Sequence, residues 1–178
     1  KTFLAGSQVH VGAAIAFPLG QTTLEAQQSE TRNAIKNGAD EIDYVVNLTK
    51  LKAGDTAYIE SEMARITDIC REFSVVSKVI FENCYLTEDE KKTLCHIAAK
   101  VKPDFIKTST GFGTGGATLE DVALMKKETE GSGVKIKAAG GIRTLKTALE
   151  MIDLGVSRIG STSSVAIMEE YMANSPLL

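Results

Sequence analysis

A chain of 178 residues with 43% hydrophobic and 24% charged side chains is long enough for one domain, 1–178, with a real core. Its net charge of −3 excludes a basic face that would bind nucleic acid by neutralising phosphates, but not a single small phosphorylated ligand held by local dipoles. No apolar run approaches the ~20 residues of a membrane span, and Cys70, Cys84 and Cys95 form no CxxC pair, which points to free thiols in a reducing, cytoplasmic compartment.

The chain repeats one grammar: a short β-rich run, a turn, and a helix with an apolar stripe. The first run is about Val9 to Phe17. Its helix is predicted to open at Thr22, with Glu25 three residues on as a capping box, and to end near Gly38 as a C′ glycine. The second run is Glu41 to Asn47; Asp55 caps the next helix, where Ile59, Met63, Ile66 and Cys70 recur at helical spacing. The third run, Ser77 to Glu82, leads to a capping box of Thr87 and Glu90, with Leu94, Ala98 and Val101 along one face. The fourth, Asp104 to Thr110, leads to a helix opened by Thr118 and carrying Val122 and Met125. The fifth, Val134 to Ala139, leads to a helix from Thr144 with Leu145, Ala148, Leu149 and Ile152, closed by Gly155. The sixth, Arg158 to Gly160, precedes a last helix with Val165, Met168 and Tyr171.

Strict alternation of strand and helix implies a parallel sheet with helical crossovers. A closed (β/α)8 barrel and an open doubly wound sheet both satisfy it. No GxGxxG opens a helix after an early strand, which counts against a dinucleotide fold. Asp43, Lys107 and Lys137 lie mid-run, and inward polar residues near strand carboxyl ends suit a TIM barrel. The expected class is therefore α/β of the TIM (β/α)8 type, with only six βα units, two short of closure.

Lys107 stands between Ile106 and Thr108 inside the fourth run, and lysines are rarely buried without a reason. Lys137 precedes a Gly-Gly turn at the end of the fifth run. Neighbouring parallel strands lie ~4.8 Å apart, which brings the two ammonium groups within a few ångströms. A second cation at ~6 Å, at an effective dielectric of ~20, disfavours a lysine's charge by roughly 3 kcal/mol, about two pKa units. Partial burial acts in the same direction, so a nucleophilic amine near neutral pH is expected. The plainer alternative is that each lysine lies on a strand rim and snorkels to water. Lys135 shares a face with Lys137 and is placed nearer the start of the strand.

Asp43 shares a face with Glu41, Val45 and Asn47. It either pairs with Lys137 and relays protons through water or forms a structural ion pair. Glu82 is read as a member of a polar network. Two glycine-rich turns, Gly140-Gly141 and Gly160-Ser161-Thr162-Ser163, each run into a helix N-terminus, where free N–H groups favour an anion. Capped tight turns without a ligand would look the same. His10 and His96 show no metal spacing, and there is no GxSxG, P-loop or HExxH, so neither metal nor cofactor is expected.

These stretches together resemble the deoxyribose-phosphate aldolases, class I aldolases on the (β/α)8 barrel. The likeness covers nearly the whole chain. It is carried by Ala16 to Gly20, Gly38 to Asp43, Phe81 to Leu86, Phe105 to Phe112, Ala139 to Arg143 and Ser157 to Gly160. The resemblance implies Lys107 as the Schiff-base lysine, Lys137 as the lysine that perturbs it, and Asp43 as the proton-relay aspartate. It places Gly111, Gly140, Gly141, Arg143, Gly160, Thr162 and Ser163 around the phosphate of a small phosphorylated sugar. The family commonly has serine at the Thr162 position; threonine keeps the hydroxyl. It also implies a homo-oligomer, a dimer, with no nucleic-acid or membrane partner.

The chain departs from the family at its start. Its six strands match the family's third to eighth, so two strands with their helices are expected to be missing, or to be supplied by a partner chain covering the exposed edges. The implied reaction is cleavage of 2-deoxyribose 5-phosphate. The alternatives are a Schiff-base lyase for another phosphorylated sugar or keto acid, and a truncated, non-catalytic remnant or assembly module.

Overall fold

Six strands alternate with helices in the computed structural model, which describes residues 2–174. The strands are β1 (Gly12–Ile15), β2 (Glu41–Val45), β3 (Val76–Ile80), β4 (Phe105–Lys107), β5 (Lys135–Ala139) and β6 (Arg158–Gly160). The helices are α1 (Leu24–Lys36), α2 (Leu48–Lys52), α3 (Thr56–Glu72), α4 (Glu88–Val101), α5 (Leu119–Glu128), α6 (Leu145–Asp153) and α7 (Ser164–Asn174). The strands form one sheet in the order β1-β2-β3-β4-β5-β6, and every neighbouring pair is parallel. Among the described residues no helix is long and apolar enough to cross a membrane.

The sheet is a curled half-barrel of the TIM-barrel type. In a flat sheet β2 and β6 would stand about 19 Å apart, at ~4.8 Å per strand. Arg158 on β6 nevertheless reaches Glu41 on β2 at 2.5 Å, and Lys137 on β5 reaches Asp43 on β2 at 2.7 Å. Side chains from strands so far apart meet only on the concave face of an arc.

Alternation along each strand separates two environments. Ile42, Tyr44, Val79, Ile106, Ile136 and Ala138 face outward and join one continuous apolar core with Ile59, Met63, Leu94, Val122, Met125 and Met151 of the helices. Glu41, Asp43, Lys78, Lys107, Lys137 and Arg158 share the concave face, as their common register and mutual contacts require.

Several boundaries differ from expectation. α1 is capped by Thr23, whose hydroxyl accepts from the Ala26 N–H, and not by Thr22. The expected strand ends run past the ladders, because Ala16 and Glu82 adopt positive φ (52° and 56°) and turn the chain out of the sheet. The short helix α2, capped by the Asn47 side chain, was not foreseen. The apolar stripe of α7 is largely uncovered: Val165, Met168 and Tyr171 are 73%, 53% and 47% exposed, and only Ile167 is buried. Periodicity identifies an apolar face without saying whether a neighbour covers it.

Candidate active site

Asp43 is the centre of the concave face. Its Oδ2 accepts from Lys107 Nζ at 2.9 Å and from Lys137 Nζ at 2.7 Å; its Oδ1 accepts from Lys78 Nζ at 2.6 Å. Register explains the convergence. Asp43 lies opposite Lys78 on β3, while Lys107, Lys137 and Arg158 stand side by side on β4, β5 and β6. Lys78 also reaches Glu41 at 2.7 Å, and Glu41 takes Arg158. Lys107 is 7% exposed and Lys78 is fully buried.

Four cations thus share two carboxylates. Burial alone would raise the Asp43 pKa, but the charges of Lys107, Lys137 and Lys78 overcome it and hold the carboxyl well below the usual carboxylate range. Glu41 is lowered for the same reason, burial being outweighed by Arg158 and Lys78. Burial pushes Lys137 below the usual lysine range, helped by the charges of Lys107 and Lys78 and opposed by Asp43. The sequence places two lysines face to face; the structure puts a carboxylate between them. Repulsion between the lysines is therefore partly offset by Asp43.

Beside this cluster is a cavity of about 360 Å³. Lys107 and Lys137 line it from the strands; Gly111, Gly140, Gly141, Arg143, Gly160 and Thr162 line it from the loops, with Thr110 and Ser161. Asp43 and Ser163 are not among its lining residues. Asp43 lies beneath the lysines, and the Ser163 N–H donates to Ser161 Oγ at 2.9 Å.

The loops are locked to one another. Thr108 Oγ1 donates to the Ala139 carbonyl and accepts from the Ala139 N–H, both at 3.1 Å. Ser161 Oγ donates to the Ile142 carbonyl at 2.6 Å, joining the two glycine-rich turns. Glu82 accepts from the Thr110 N–H at 3.2 Å and from the Thr110 hydroxyl, so it acts as a loop anchor. Gly160 is required by its contacts: a Cβ there would stand 2.9 Å from Ala139 Cβ and 3.3 Å from Lys137 Cε. Above the loops, Phe17 and Phe112 meet edge to face, with ring centroids 5.4 Å apart.

Sequence reading missed Lys78, Glu41, Arg158, Thr110 and Ser161. Lys78 carries the same signal as Lys107, a lysine amid β-rich apolar residues, and was overlooked for lack of a register. Lys135 is exposed and lies over the Phe105 ring at 5.6 Å, apart from the cluster. His96 pairs with Glu128 at 2.8 Å on the surface. Cys70 and Cys95 are buried thiols pushed up to about 12 by desolvation. Among the described residues no group of three or more His, Cys, Asp or Glu is placed to hold a metal.

Residues 5–162 match the family model described as DeoC/LacD family aldolase. The chain belongs to the DeoC/LacD family of aldolases. It is 57% identical over 166 residues to a deoxyribose-phosphate aldolase of Lactobacillus acidophilus, covering 93% of this chain and 70% of that one. It is 52% identical over 168 residues to one of Bacteroides thetaiotaomicron, covering 94% and 70%. Among solved structures, the deoxyribose phosphate aldolase of Aeropyrum pernix, described as tetrameric, superposes with a TM-score of 0.85 at 28% identity, covering 94% of this chain and 70% of that one. Deoxyribose-phosphate aldolases are thus similar to this chain in both sequence and fold.

Proposed function

We propose that the chain cleaves 2-deoxyribose 5-phosphate to glyceraldehyde 3-phosphate and acetaldehyde through an imine on Lys107. The observation that carries this is the Lys107 amine, lining the cavity while sharing one oxygen of Asp43 with Lys137. Similarity to deoxyribose-phosphate aldolases points to the substrate.

The neutral Lys107 amine adds to C1 of the open-chain aldehyde and water leaves. Lys137, whose charge burial disfavours, takes up the proton that Lys107 must lose. The protonated imine draws electrons from C2–C3. A water held by Asp43 and Lys137 takes the C3 hydroxyl proton, the C2–C3 bond breaks, and glyceraldehyde 3-phosphate departs. Protonation of the enamine at C2 and hydrolysis release acetaldehyde and restore Lys107. The amine does the polarising work that a metal does elsewhere.

Gly111, Gly140, Gly141, Gly160 and Thr162 hold the phosphate through backbone N–H groups and the threonine hydroxyl, with Arg143 beside them, while Ser163, whose N–H is taken by Ser161, stands outside the cavity. The surplus of cations over carboxylates on the concave face supports an anionic substrate. The same reading has copies of the chain associate as a dimer and work in the cytoplasm.

Borohydride added during turnover should reduce the imine and leave a mass adduct on Lys107, found by peptide mapping. Unmodified Lys107 recovered from a turning-over sample would refute the imine.

A further inference from the structure

We propose that Lys78, with Glu41 and Arg158 behind it, is a positioning device that holds Asp43 so that Lys107 and Lys137 must share a single carboxylate oxygen. The inference rests on the reading of Lys107 above and adds residues that touch no substrate.

Geometry carries it. Lys78 Nζ donates to Asp43 Oδ1 at 2.6 Å and to Glu41 Oε2 at 2.7 Å. Lys78 fixes the orientation of the carboxylate through Oδ1, so that Oδ2 faces Lys107 and Lys137 and takes both. Without Lys78 the Asp43 carboxylate can rotate and give each amine its own oxygen. The two nitrogens would then separate, and the proton path between them would lengthen.

Lys78 does not line the cavity and its side chain is 1% exposed, so its effect must pass through Asp43. Glu41 in turn fixes Lys78 and is itself gripped by both Oε atoms from Arg158, at 2.7 and 2.5 Å. The groups facing the two catalytic amines are thus Asp43 on β2 and Lys78 on β3, with Glu41 and Arg158 behind. A fully buried lysine is costly to desolvate, and an apolar residue of similar volume would fill the same space without that cost. Shape alone does not require a cation at position 78.

The test compares Lys78→Met and Glu41→Gln with the unaltered chain, using 2-deoxyribose 5-phosphate. For Lys78→Met, kcat should fall about 100-fold, the size of a small misplacement of reacting groups, with KM within a few-fold. The pH profile of kcat should move to higher pH, because one of the charges that disfavours protonated Lys137 is gone. Glu41→Gln keeps the shape and an acceptor for Lys78, and should show a smaller loss and shift in the same directions; it decides the matter if Lys78→Met does not fold. A rise in KM with kcat intact, or an unmoved pH profile in the folded variants, overturns the proposal. Borohydride trapping of the unaltered chain separates the two readings: no adduct sinks the Lys107 assignment, whereas an adduct with unchanged variants sinks only the role of Lys78.

Discussion

Lys137 illustrates how far one side chain's behaviour depends on its neighbours. Burial disfavours its charge, Lys107 and Lys78 add to that, and Asp43 opposes it. Lys137→Leu should keep the fold and cut turnover near neutral pH by about 100-fold, read from kcat, since in the proposed mechanism it removes the proton acceptor beside Lys107. Linkage gives a second signature. The folded pKa of Lys137 lies below the unfolded value of ~10.4, so the unfolded chain binds more protons over that interval and this group's contribution to stability grows as pH rises through it. Asp43 has the opposite sign: its folded pKa is depressed, so its contribution is present above the unfolded value of ~3.9 and is lost as pH falls below it. Lys107, Lys137 and Asp43 were legible because period-two alternation exposes a charged residue in an apolar run. Their bonding was not, because which oxygen meets which amine depends on register and curvature.

Helix starts were the most readable elements. Asp55, Thr87 with Glu90, Thr118 and Thr144 all cap where their spacing places them. Strand ends were read too long, since apolar residues continue past the last ladder bond into the turns. The contact between α3 and the end of β2 was invisible in sequence. There Glu62, fully buried, accepts from the Asn47 N–H at 3.1 Å, while its Oε1 has no partner at hydrogen-bond distance and angle among the described residues. Burial raises its pKa to about 7, with the Asn47 bond and the Gln27 side chain opposing the shift. Between an unfolded pKa of ~4.3 and that value the folded chain binds the extra proton, so stability should fall by roughly 4 kcal/mol as pH rises through the interval and then level off. Glu62→Gln keeps an acceptor for Asn47 and should flatten this dependence, raising stability at pH 8 but not at pH 5. Urea midpoints at the two pH values measure it.

At the scale of the whole molecule, charge is sorted rather than balanced. The chain carries −3 overall, yet its concave face gathers four cations around two carboxylates. Attraction for an anionic substrate is therefore local, and salt should weaken it as the Debye length shrinks from ~10 Å at 0.1 M to ~3 Å at 1 M. Raising ionic strength should increase KM for 2-deoxyribose 5-phosphate with little change in kcat, and should leave KM for the unphosphorylated sugar nearly unmoved. Steady-state kinetics with both sugars checks this. The strand–helix alternation announced the parallel sheet, but the curl was not legible. It is declared by contacts such as Arg158 with Glu41, 117 positions apart, which no local pattern can carry.

Along β2, Glu41 and Asp43 face the cationic cluster proposed to do the chemistry, while Ile42 and Tyr44 face the helices. Reactivity and solidity are thus written on interleaved letters of one five-residue word. Someone wishing to retune what this scaffold does can rewrite every second letter and leave the spelling of the core alone.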